Sequence, residues 1–108
     1  MIWVVVKFQF PGFHCWPDAP EEVAFLRNRH RHIFHCEVAI QEVNDDRDIE
    51  FFLFKKELES GIPFYITGEN DSCEMIAQRI KGMVEKDHPG RIVMVSVYED
   101  NENGAIVQ

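Results

Sequence analysis

The 108-residue sequence predicts an α+β domain, an antiparallel four-stranded sheet with helices on one face. Three observations lead there. Two segments in the first half alternate apolar and polar residues with a period of two. A segment after residue 70 repeats its apolar residues at helical spacing between a cap and a Pro-Gly stop. Residues 91–107 then return to β-rich sequence. Read in order these give β-β-α(-α)-β-β, and no internal repeat, low-complexity tract or linker divides the chain. One domain spanning residues 1–108 is therefore expected.

In IWVVVKFQF, Ile2, Val4, Val6, Phe8 and Phe10 fall on one side while Lys7 and Gln9 fall on the other, so a half-buried first strand is expected, ended by Pro11-Gly12. Residues 13–29, with Pro17 and Pro20, read as an ordered loop containing a single helical turn. Residues 30–43, HRHIFHCEVAIQEV, form the second strand, with His30, His32, Phe34, Cys36, Val38 and Ile40 sharing one face. Asn44 to Arg47 is a polar turn.

The next stretch, EFFLFKKELESG, satisfies two patterns. Phe51, Phe54 and Leu58 suit a helix stopped by Ser60-Gly61, and a strand from Ile49 to Lys55 is the competing reading. Ile62 to Thr67 reads as extended. A clearer helix begins near Asp71, which has capping-box spacing to Glu74, and Ile76, Ile80, Met83 and Val84 form its apolar stripe. Pro89-Gly90 end it. RIVMVSVYE, residues 91–99, is a strand apolar on both faces, and Asn101 to Gly104 turn into a last strand at Ala105 to Val107.

Composition narrows the function. Nineteen acidic against eleven basic residues give a net charge of −8, which argues against a broad nucleic-acid binder or an anionic-membrane binder. Nine Phe and 45% apolar residues are enough to fill a compact interior. Cys15, Cys36 and Cys73 are an odd number without a CxxC pair, which fits free thiols in a reducing compartment. Ile2 to Val6 is too short to span a bilayer and lacks a signal peptide's charged leader and cleavage site, so a soluble cytoplasmic protein is expected.

Four of the five histidines lie between residues 14 and 35. His30 and His32, two apart on a strand, point the same way about 6.5–7 Å apart along the backbone. Two ring nitrogens so placed can converge on one metal, and a third neutral ligand would complete a tripod with an open fourth position. His14 is the candidate for that third ligand. Two histidines on a solvated strand are the alternative.

These residues sit in an order that resembles the T-fold enzymes 6-pyruvoyl-tetrahydropterin synthase and 6-carboxy-tetrahydropterin synthase. In that family a first strand ends in Phe-x-x-x-His and a His-Gly-His opens the second. This chain has FPGFH, Phe10 to His14, and then His30-Arg31-His32. Glu69 to Glu74 takes the place of the family's Pro-Thr-Ser-Glu-like helix opening. VSVYEDNENGAIV places Glu99 and Gly104 on the closing Val-x-Val-x-Glu-Thr-x-x-x-Gly pattern. The resemblance implies a T-fold, zinc held by His14, His30 and His32, and Glu99 holding a pterin- or purine-like heterocycle. One carboxylate can accept a ring N–H and an exocyclic NH₂ side by side. It also implies homo-oligomers, rings or stacked rings, with ligands bound between subunits.

The chain departs from the family where the lyase chemistry lies. Leu26 stands where the enzymes carry their cysteine, and residues 59–68 contain neither the Asp nor the His expected between the helices. Cys73 at a helix start, and Asp87-His88 after that helix, are the available substitutes, with His88 also explained by the helix dipole. Arg31 replaces the middle glycine, and Arg27 and Arg29 beside it could clamp a phosphate or carboxylate, or pair with Asp18, Glu21 and Glu22. The function expected is a zinc- and heterocycle-binding protein without the usual catalytic Cys and Asp-His pair. The alternatives are an active lyase acting on dihydroneopterin triphosphate with relocated residues, and a non-catalytic nucleotide-sequestering or scaffold ring.

Overall fold

A computed structural model describes residues 1–108. Strands β1 (Ile2–His14), β2 (His30–Glu42), β3 (Val93–Glu99) and β4 (Asn103–Val107) form one antiparallel sheet in the order β1-β2-β3-β4. Helices α1 (Phe51–Ser60), α2 (Ile62–Tyr65) and α3 (Cys73–Asp87) connect β2 to β3, and a 3₁₀ segment, Glu21–Arg27, connects β1 to β2. The α+β class and the four-stranded antiparallel sheet are as the sequence predicts.

The helices pack on the sheet face that the period-two residues define. Val6, Phe8 and Phe10 of β1, Phe34, Cys36, Val38 and Ile40 of β2, and Val93, Val95 and Val97 of β3 share one core with Phe54, Leu58, Tyr65, Ile76, Ala77, Ile80 and Val84. Fully burying side chains of this size stabilises by about 1.5–3 kcal/mol each, so this face dominates folding. The molecule measures 51 × 23 × 23 Å because β1 and β2 each run thirteen residues. That length puts the last rows of their ladder at one end of the molecule.

Six expectations change or are resolved. β1 does not stop at Pro11-Gly12 but continues to His14, paired opposite His30. Pro11 is tolerated because β1 is an edge strand and owes no N–H to a second neighbour. Gly12 fits because a Cβ there would lie 2.5 Å from Ile66 Cδ1 and 2.8 Å from the Phe34 ring. The ambiguous stretch is the helix α1, capped by the Glu50 carboxylate, which accepts from Phe52 and Leu53 N–H.

Ile62 to Tyr65 is a helical turn rather than extended chain. Pro63 suits its first positions, and the buried Tyr65 hydroxyl donates to Leu58 C=O at 2.6 Å. Helix α3 is capped by Ser72, whose hydroxyl accepts from Met75 N–H, not by Asp71. β3 starts at Val93, two residues later than predicted, and β4 starts at Asn103, two residues earlier. No helix is long and apolar enough to cross a membrane.

Candidate metal centre

The last two rows of the β1–β2 ladder, Gly12–His32 and His14–His30, carry the predicted histidines on the core face. Glycine opposite His32 leaves room for Ile66 and for Phe34, whose ring floors the site edge-on to both His14 and His32, at 5.4 and 5.9 Å. The three rings meet at centroid distances of 4.5, 5.0 and 4.8 Å, and one nitrogen from each lies within 4.8 Å of the others. Three histidines therefore stand close enough to bind one metal ion.

Each ring is oriented through its other nitrogen. Nδ1 of His14 donates to Asp71 C=O, Nδ1 of His30 to Asn28 C=O and Nδ1 of His32 to the Asp100 carboxylate, each at 2.7 Å. Carbonyl oxygens only accept, so Nδ1 of His14 and His30 must carry the proton, and in the neutral ring Nε2 is then a bare lone pair. An ionised Asp100 fixes His32 in the same way. This is how metal-binding histidines are held, by an oxygen acceptor on the nitrogen away from the metal.

The three Nε2 atoms are the only buried side-chain nitrogens or oxygens in the protein without a hydrogen-bond partner. An unmet buried polar group costs about 1–3 kcal/mol. Three of them meeting at one place fit a soft-to-borderline divalent cation, for which neutral imidazole is a preferred ligand.

Two supporting elements converge here. The Asp71 carboxylate accepts from Thr67 and Gly68 N–H and pairs with Arg79, which also donates to Tyr65 C=O. Burial of Asp71 works against its ionisation, but these hydrogen bonds outweigh it and hold the carboxyl below its usual range. The loop that presents its carbonyl to His14 is thereby fixed. On the other side, Asp100 and Asn101 take positive φ of 52° and 58° in the β3–β4 turn, which Asp and Asn tolerate better than other side chains. The Asp100 carboxylate bridges His32 Nδ1 and Ile33 N–H, and these two hydrogen bonds depress its pKa.

Glu99 reaches the same place. Its carboxylate oxygens lie 3.2 Å from His14 Nε2 and 3.4 Å from His32 Nε2. Cys73, the first residue of α3, approaches Glu99 Oε1 at 3.7 Å, so the packing of α3 on the sheet brings this thiol beside the carboxylate. Burial, then the nearby Glu99 and Glu74 charges, push the Cys73 thiol up to about 12, which leaves it protonated at neutral pH.

The other predicted residues lie elsewhere. Asp87 ends α3, about 21 Å of helix rise from Cys73. His88 Nε2 pairs with Glu57 at 3.0 Å and its ring packs edge-on against Phe54, so the ring is tied to α1 rather than to the histidine cluster. Arg27 donates to Ala19 C=O and pairs with Glu21, one of the partners the sequence suggested. Arg29 lies over the Phe13 ring at 4.1 Å and pairs with Glu69 at 3.7 Å.

Asp100, Arg79, and the carbonyls of Asn28 and Asp71 have no counterpart in the sequence reading. Asp100 carried a faint signal, a turn-prone Asp beside Glu99, whereas a backbone carbonyl carries none.

Comparison with protein-family models and with curated proteins finds no match for this chain.

Proposed function

We propose that this chain is a zinc-binding T-fold protein related in type to the tetrahydropterin synthases. It takes a pterin- or purine-like heterocycle beside the metal and lacks the usual lyase machinery. The observation that carries the reading is the trio of buried, partnerless Nε2 atoms on His14, His30 and His32, each ring fixed by an Nδ1 hydrogen bond. Zinc held there supplies a Lewis acid that polarises a ligand oxygen.

The absence of a working nucleophile rests on particular residues. Leu26 stands at the family's cysteine position, residues 59–68 hold neither an Asp nor a His, and Asp87 and His88 belong to the far end of α3. In this reading the protein is a homo-oligomer, with the sheet face bearing Val5, Met94 and Ile106 available for subunit contact. Val5 and Ile106 are exposed, and no helix of this chain packs there.

An active lyase is the second reading, favoured by Cys73 lying next to Glu99. Incubating the zinc-loaded protein with dihydroneopterin triphosphate, followed by product chromatography, separates the two. Saturable pterin binding by calorimetry without new product is expected. Turnover abolished by His30→Ala would overturn the non-catalytic assignment, and a flat titration with pterins and guanine nucleotides would remove the heterocycle from it.

A further inference from the structure

We infer that Glu99 is itself a ligand of the metal in the resting protein, closing a His₃Glu centre that an incoming molecule must open. The inference rests on the metal reading above and concerns what fills the fourth position.

Register brings Glu99 there. It pairs with Phe34, two residues along β2 from His32, so its side chain shares the core face with the histidines. Its oxygens stand 3.2 and 3.4 Å from two Nε2 atoms. Neighbouring donor atoms around a tetrahedral ion with bonds of 2.0–2.1 Å are about 3.3 Å apart. The carboxylate thus already sits at ligand-to-ligand spacing from two of the three histidines.

Two simpler explanations of this contact fail. With Nδ1 carrying the proton, a neutral imidazole offers Glu99 only a lone pair, and a lone pair facing a carboxylate at this distance is repulsive unless a cation lies between them. With the rings protonated, Nε2–H would donate to Glu99, yet neither close approach has hydrogen-bond geometry and all three Nε2 atoms remain partnerless. Three imidazolium rings at centroid distances of 4.5–5.0 Å would also repel one another. Donors that approach one another without bonding are aimed at a shared centre.

The closed state has a functional consequence. Metal sites with four protein ligands are structural, whereas reactive ones keep a position open. Glu99 is 31% exposed at its side chain, far more than His14 at 9%, so it is the ligand that a hydrogen-bond donor arriving from solvent can reach and draw away from the metal. A heterocycle that needs both Glu99 oxygens for its N–H edge competes directly with the metal for them. Ligand entry and opening of the metal are then one event.

Cobalt(II) substitution with azide as the entering ligand tests this. The wild-type protein should bind cobalt with a four-coordinate visible spectrum that azide leaves unchanged. Glu99→Ala should bind cobalt about tenfold more weakly or worse and should shift its spectrum on adding azide. Glu99→Gln, which keeps the side-chain volume, provides the same readout if the alanine variant fails to fold. A wild-type spectrum that responds to azide as the variants do would overturn the inference while leaving the three-histidine site standing. No cobalt binding by the wild type would overturn the metal reading and this inference with it.

Discussion

Along the inner face of the β1–β2 ladder, the rows Val6–Val38, Phe8–Cys36 and Phe10–Phe34 are buried in the common core. Two rows further on, at Gly12–His32 and His14–His30, the same face carries imidazoles whose inner nitrogens have no partner. Strand geometry is shared, and Phe34 touches both regions. The apolar rows gain stability simply by leaving water. The histidine rows oppose folding in the metal-free chain, because each unmet Nε2 costs about 1–3 kcal/mol. On the proposed reading, side chains that lower stability, yet are each oriented by a second hydrogen bond, form a ligand site rather than a piece of core.

Substitutions on either side of Phe34 can break this contrast. Phe34→Ala should cost about 3–5 kcal/mol in urea unfolding, because the ring is fully buried. His30→Ala should leave the metal-free protein within about 1 kcal/mol of the parent while abolishing metal-dependent stabilisation. If His30→Ala in metal-free protein costs as much as Phe34→Ala, the histidine rows are ordinary core and the contrast fails.

Asp100→Asn tests the orienting shell. It keeps the side-chain size and tolerates the positive φ at this position, so folding should persist while metal affinity falls about 10–100-fold in a chelator competition. Unchanged affinity would mean that His32 does not depend on its Nδ1 partner.

Gly12→Ala probes the boundary itself, since the new methyl meets Ile66 and the immobile Phe34 ring. A loss of about 1–3 kcal/mol is expected by thermal or urea unfolding. The smallest effect belongs to the far end of α3. His88→Ala should cost at most about 1 kcal/mol, as expected of its partly exposed pair with Glu57, and leave metal content untouched. Lost metal binding in that variant would tie the two ends of the helix together, which nothing in their contacts provides for.

The sequence carried the strand faces because burial on one side imposes a period of two, and it carried the His30 and His32 pair for the same reason, whereas His14 came from its place just past the expected end of the first strand and from the family resemblance. It misplaced the end of β1 because proline stops an interior strand but not an edge one. It left α1 ambiguous because Phe51, Phe52 and Leu53 are all exposed, so their apolar character does not follow the buried stripe of Phe54 and Leu58. The turn at Ile62–Tyr65 depends on a tertiary hydrogen bond to Leu58. The shell around the site was the least legible part, since two of its three acceptors are backbone carbonyls and the third resembles any turn aspartate.

Metal content measured on protein purified without a histidine tag tests the central claim most directly. About one zinc per chain is expected, with a thermal midpoint that falls when a chelator removes it and a loss of both properties in His14→Ala and His32→Ala. Metal at background level, together with a midpoint that zinc and chelator leave unmoved, would contradict the account.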